Sequence, residues 1–97
     1  MFSFYHLIQF NKSNFKENDY DFWVCAFDDE EGKEVWRQDY NEHQIQSIMA
    51  SQGEWYSEEK FFLTDKIPHR WVIWAHSKSK DWAERIEGQV NYTYKPQ

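Results

Sequence analysis

The chain is poor in residues that staple, loop or span. It has one cysteine, Cys25, among 97 residues, so no internal disulfide can form and the stapled class of small secreted domains is excluded. Its three glycines, Gly32, Gly53 and Gly88, are widely separated. No glycine-rich loop is left to cradle a phosphate, and each glycine reads instead as a turn or a helix stop. No stretch approaches the roughly 18 uninterrupted apolar residues that cross a bilayer. The opening MFSFYHLIQF is apolar, but it lacks a basic leader segment and is broken by Ser3, His6 and Gln9. The expectation is a soluble, cytoplasmic chain with no membrane partner.

Basic residues are scarce as well. Eleven Lys and Arg face 17 Asp and Glu, for a formal charge of -6. The nearest approach to a basic run, Lys78, Lys80 and Arg85, is thin. Phosphate backbones are bound where Lys and Arg cluster, so direct contact with nucleic acid is not expected. A basic protein is the electrostatically favoured partner.

Rings are plentiful: six Trp, six Tyr and eight Phe make 21% of the chain. Each buries on the order of 150–250 Å², so a single domain over residues 1–97 can build a core despite a mean hydropathy of -0.99. A domain of this size buries only about 60–70% of its unfolded surface.

The pattern of residues predicts the elements. Residues 2–10 read as a strand, and the polar NKSNFKENDYD as a loop. FWVCAFD, residues 22–28, is apolar on both sides of the alternation and reads as a central strand. DEEGKE and EVWRQDY complete a hairpin. Asn41 caps a helix of about 42–52, with Gln44 reaching back, Tyr40 packing on Ile45 as a staple, and Gly53 as the stop. KFFLTDKI, ended by Pro68, and RWVIWAH are strands. Ser79 or Asp81 starts a second short helix with Trp82 and Ile86 on one side, stopped at Gly88. VNYTYK closes the chain as an alternating edge strand. The fold class is α+β: a mostly antiparallel sheet of about six strands, in the order βββαββαβ, with two short helices.

Two short helices cannot cover both faces of such a sheet. Either the sheet curls around itself or an aromatic face stays open for a partner. On the strand after Pro68, Val72 and Trp74 lie between Arg70 and His76, which marks that face as the one to be exposed. Trp71, Ile73 and Ala75 then lie under the helices.

No spacing names a chemistry. The four histidines include no pair at zinc-ligand distance along the chain, and Cys25 in mid-strand reads as a core filler rather than a nucleophile. No cofactor is expected. The conspicuous polar features are carboxylate clusters at 17–21 and 28–31, the second lacking the spaced oxygens of a calcium loop. They either solubilise an aromatic-rich domain or face a cationic surface. On the second view the partner-binding residues are Asp19, Tyr20, Asp21, Asp28, Asp29, Glu30, Glu31, Trp36, Trp74 and His76. The chain then reads as a non-enzymatic inhibitor, immunity or antitoxin-type protein that neutralises a basic macromolecule such as a nuclease. The alternatives are a small-ligand domain that stacks a ring on Trp36 and Trp74, an enzyme using a carboxylate and a histidine, and a homodimer formed through the spare aromatic face.

Overall fold

The computed structural model describes residues 2–16, 19–79, 84–90 and 92–96. In chain order the elements are β1 (Phe2–Asn11), a 3-10 turn (Lys12–Asn14), β2 (Tyr20–Asp28), β3 (Glu34–Asn41), α1 (Glu42–Ala50), β4 (Trp55–Thr64), β5 (Arg70–Ser77), β6 (Glu84–Gln89) and β7 (Tyr92–Pro96). This is a small α+β domain, mostly antiparallel sheet with one helix among the described residues.

The expected single sheet is in fact two. One has the order β4-β1-β7 and the other β3-β2-β5-β6, and every pairing is antiparallel. Their inner faces meet through rings. Phe27 on β2 lies 4.9 Å from Phe62 on β4, Trp36 on β3 stacks on Phe62 at 5.5 Å, and Phe10 on β1 meets Trp23 on β2 edge-on at 5.8 Å. Face-to-face packing answers the shortage of helix. The rings of one sheet are covered by the rings of the other, and Trp71, Ile73 and Ala75 are buried in the core they share, where Ile73 meets β1 and β4 residues as well as Ile48 of α1.

The hairpin between β2 and β3 forms as its sequence dictates. Gly32 N donates to Asp29 O at 3.0 Å and Asp29 N to Lys33 O at 2.9 Å. Gly32 supplies a φ of +83° that a side chain would resist. Helix α1 carries the expected capping box: Gln44 N donates to Asn41 Oδ1 and Asn41 N to Gln44 Oε1, both at 2.9 Å. It ends at Ala50, two residues short of the expected end at 52, and packs on β2 and β3 through Ile45 and Ile48. Its C-terminus is closed by a residue that had read as loop. Lys12 is buried, and its Nζ donates to Ser51 O at 2.5 Å and to Ser51 Oγ at 3.1 Å. A cation suits the negative end of a helix dipole.

The second helix is a correction. Glu84–Gln89 is strand β6, paired with β5 so that Trp71 faces Gly88 and Ile73 faces Ile86. A four-residue step from Trp82 to Ile86 fits one helix face and equally one strand face. Trp82 lies outside the described residues. Gly88 stops nothing: a β-carbon there would stand 2.1 Å from Cε2 of the Trp71 indole, which rests against the bare backbone.

Strand β4 inverts the usual alternation. Tyr56, Glu58, Lys60 and Phe62 point inward, while Trp55, Phe61 and Leu63 are exposed. The inward charges are matched. Lys60 Nζ lies 2.5 Å from Glu58 Oε1 and also donates to Gln38, and the Tyr40 hydroxyl donates to Glu58 Oε2 at 2.6 Å. The ammonium also sits 5.6 Å from the Trp36 ring centre and 5.8 Å from that of Tyr40. Inward charges at a sheet edge deter stray strand pairing.

Candidate functional site

A broad concavity lies between the β2–β3 turn and the segment that joins β4 to β5. It is a cleft of about 610 Å³ whose one wall is Asp29, Glu30 and Glu31, and whose other wall and floor are Lys66, Ile67, Pro68, His69 and Val90. The turn carboxylates are positioned by the hairpin. Asp29 Oδ1 accepts the backbone N–H groups of Glu31 and Lys33, each at 2.9 Å. Those bonds, that from Lys33 foremost, hold the Asp29 carboxyl below its ordinary pKa. Glu30 and Glu31 stand exposed beside it.

The second wall is strapped to the first. His69 N donates to Asp28 O at 2.7 Å, and Val90 N donates to His69 O at 3.4 Å. Arg70 Nε stands 3.9 Å from Asp28 Oδ2, which ties the start of β5 to the end of β2. Pro68 and Val90 are buried in the floor, and Ile67 is 59% exposed at the rim. Lys33 Nζ stands 3.5 Å from Glu31 Oε2 and Lys66 lies on the opposite wall, so three carboxylates over an apolar floor, offset by two ammonium groups, keep an acidic balance that suits a long cationic side chain. An aliphatic stem can lie on Ile67 and Pro68 while its charged head meets the turn.

The sequence-predicted residues divide among different surfaces. Asp29, Glu30 and Glu31 share the cleft, with Asp28 behind them. Asp19 and Asp21 stand at the opposite end of β2, some 25–30 Å away at about 3.4 Å per residue. That second cluster already has partners: Lys78 Nζ lies 3.8 Å from Asp19, and His76 Nδ1 is within hydrogen-bond distance of Asp21 Oδ1 at 2.7 Å. Glu17 and Asn18 lie outside the described residues. Tyr20 is buried, edge-on to Phe15 at 5.6 Å.

Trp36 and Trp74 do not share a surface. Trp36 pairs with Phe27 across the hairpin, so it points into the core. Trp74 points outward and is partly exposed. Its ring is covered on one side by the Arg85 guanidinium at 5.1 Å, and a shallow hollow beside it is lined by Val24, Glu34 and Arg37. A ring stacked on Trp74 would therefore not reach Trp36.

Cys25 faces the interior, and burial pushes its thiol up to about 12, which leaves it a filler with no thiolate near neutrality. Among the described residues no group of three His, Cys, Asp or Glu is placed to hold a metal ion. No helix among them is long and apolar enough to cross a membrane.

Sequence reasoning found the acidic wall of the cleft and missed the other. The sequence pattern predicts a strand over KFFLTDKI, residues 60–67, whereas β4 runs from Trp55 to Thr64 and Asp65, Lys66 and Ile67 lie in the loop that leads to Pro68. No protein-family model, no curated protein and no solved structure matches this chain.

Proposed function

We propose that this chain is a small acidic binding protein, without catalysis of its own, that neutralises a basic macromolecule such as a nuclease or another nucleic-acid-handling protein. The observation that carries the reading is the junction of Asp29, Glu30 and Glu31 with an apolar floor and an exposed Ile67 in one cleft. Charge of -6 draws a cationic partner in from a distance. The cleft then takes a Lys or Arg side chain of that partner, and the apolar rim adds contact area that outlasts the encounter.

Within this reading the turn at 29–31 acts as the contact, and the carboxylates at 19–21, paired with Lys78 and His76, contribute to the long-range field. The test is a nuclear magnetic resonance titration with a short arginine-rich peptide. Shifts concentrated at residues 29–31 and 66–69, weakening as salt rises, are expected. Glu30→Gln with Glu31→Gln should remove them and leave the fold intact, because Asp29 alone holds the turn. Shifts spread evenly over the surface, or unchanged in that variant, would refute the assignment.

A further inference from the structure

A second surface has the opposite character. On the outer face of the β4-β1-β7 sheet, Tyr5 pairs with Phe61, while Leu7 and Leu63 sit diagonally across that pair. The four side chains touch one patch of solvent and are 42% (Tyr5), 42% (Leu7), 64% (Phe61) and 47% (Leu63) exposed. With rings of about 150–250 Å², this is on the order of 350 Å² of contiguous apolar surface. Among the described side chains of β1 and β4 one charge borders it, that of Glu59 opposite Leu7, and the Tyr5 hydroxyl hydrogen-bonds to it.

We propose that this face is the interface of a homodimer, with a second copy of this chain as its occupant. Three features of the patch select that occupant. A basic partner is drawn to the acidic cleft, and the patch offers it one carboxylate already engaged. A flat sheet face is complemented by another flat sheet face about 10 Å away, and a second copy presents one of equal size and polarity. The area also fits. Interfaces are about 55–65% apolar, so some 350 Å² of apolar surface per copy supports roughly 600 Å² per copy in all, near the lower end of stable pairs. The dimer is therefore weak, with dissociation in the micromolar range or above. It leaves the cleft free, since the cleft belongs to loops at the edge of the sandwich and not to this face.

The proposal is tested by sedimentation velocity on the full chain over a concentration series, from low micromolar to several hundred micromolar. The mass should rise from 12.0 kDa toward twice that value. Raising salt should leave the association unchanged or strengthen it, because both copies are acidic. Phe61→Glu should hold the chain monomeric at every concentration, with an unchanged circular dichroism spectrum. Leu63→Gln, a milder change, should weaken association several-fold if Phe61→Glu disturbs folding. Trp74→Ser, on the other sheet, should change nothing. Persistent monomer in the wild type, a dimer insensitive to both patch variants, or one abolished by Trp74→Ser would overturn it.

Discussion

Substitution of Gly88 by alanine probes the register of β5 and β6 at one atom. The added carbon would stand 2.1 Å from Trp71 Cε2 and 2.3 Å from Cζ2 and Nε1, where carbon pairs rest at about 3.5–4.0 Å. The indole would have to move by more than an ångström. It is 4% exposed and belongs to the main core cluster, so its displacement disturbs Ile73 and the facing sheet. Overpacking costs about 1–3 kcal/mol, and an aromatic face has little room to give, which places this case in the upper part of that range. Against it, alanine restricts the unfolded chain and returns about 0.4–1 kcal/mol. The net loss is about 2 kcal/mol, or a fall in Tm of roughly 8–16 °C for a domain of this size. Thermal and urea unfolding followed by tryptophan fluorescence measure it. The informative comparison is with Trp71→Leu, which is destabilising in itself but empties the space. In that background Gly88→Ala should be neutral or mildly stabilising, a coupling of about 2 kcal/mol. Equal losses in the two backgrounds, or a Tm within a degree or two of wild type for Gly88→Ala alone, would refute the packing of Trp71 on Gly88.

Three further outcomes follow from the interior. Lys60→Met leaves Glu58 half-buried without its cation and should destabilise by about 1–3 kcal/mol, whereas Lys60→Met combined with Glu58→Leu should recover most of that loss in chemical unfolding. Lys12→Ala removes both the buried stem and the charged donor to the end of α1, for a loss of about 2–4 kcal/mol, while Lys12→Met keeps the stem and should lose less. Burial, with the Glu58 charge and hydrogen bond, pushes Tyr56 up to about 12 from 10.0 and also raises Tyr40. A phenol raised in the folded state stabilises fully below its unfolded pKa. That stabilisation is lost as pH climbs through the folded value, so stability should fall between about pH 10 and 12. The tyrosinate absorbance of these two rings should stay absent near pH 10 while the chain is folded; their ionisation near pH 10 in a still-folded chain would contradict it.

What could be read from the sequence was local. The turn at 29–33 and the cap at Asn41 each state their conformation within a few residues, and both form as expected. What failed needed a partner distant in sequence. Trp82, Ile86 and Gly88 satisfy a helix and a strand alike, and only the indole of Trp71 against Gly88 separates the two. A buried lysine looks like a loop lysine until the end of α1 is laid beside it. Strand β4 hid its register because Glu58 and Lys60 occupy inward positions, and their acceptance there depends on Gln38, Tyr40 and Trp36 from another sheet. The surplus of rings was legible as a surplus, but its place was not. The expectation put the open face around Trp74 on β5, whereas the larger exposed patch lies on β1 and β4. Of the candidate site, the acidic turn was visible, whereas the inward place of Trp36 was not: a five-residue turn that pairs Asp28 with Glu34 would set Val35 opposite Phe27, and the bulge beside Asp28 brings Trp36 there instead.

The dimer face depends on β4 carrying Glu58, Lys60 and Phe62 inside and Trp55, Phe61 and Leu63 outside. Hydroxyl-radical footprinting of dilute protein, resolved residue by residue by mass spectrometry, reads that orientation from two neighbours in the chain. Phe61 should be oxidised rapidly, together with Trp55 and Leu63, while Phe62 is protected. Protection of Phe61 with oxidation of Phe62 would reverse the strand, return Glu58 and Lys60 to solvent, and remove the apolar face on which the dimer is built.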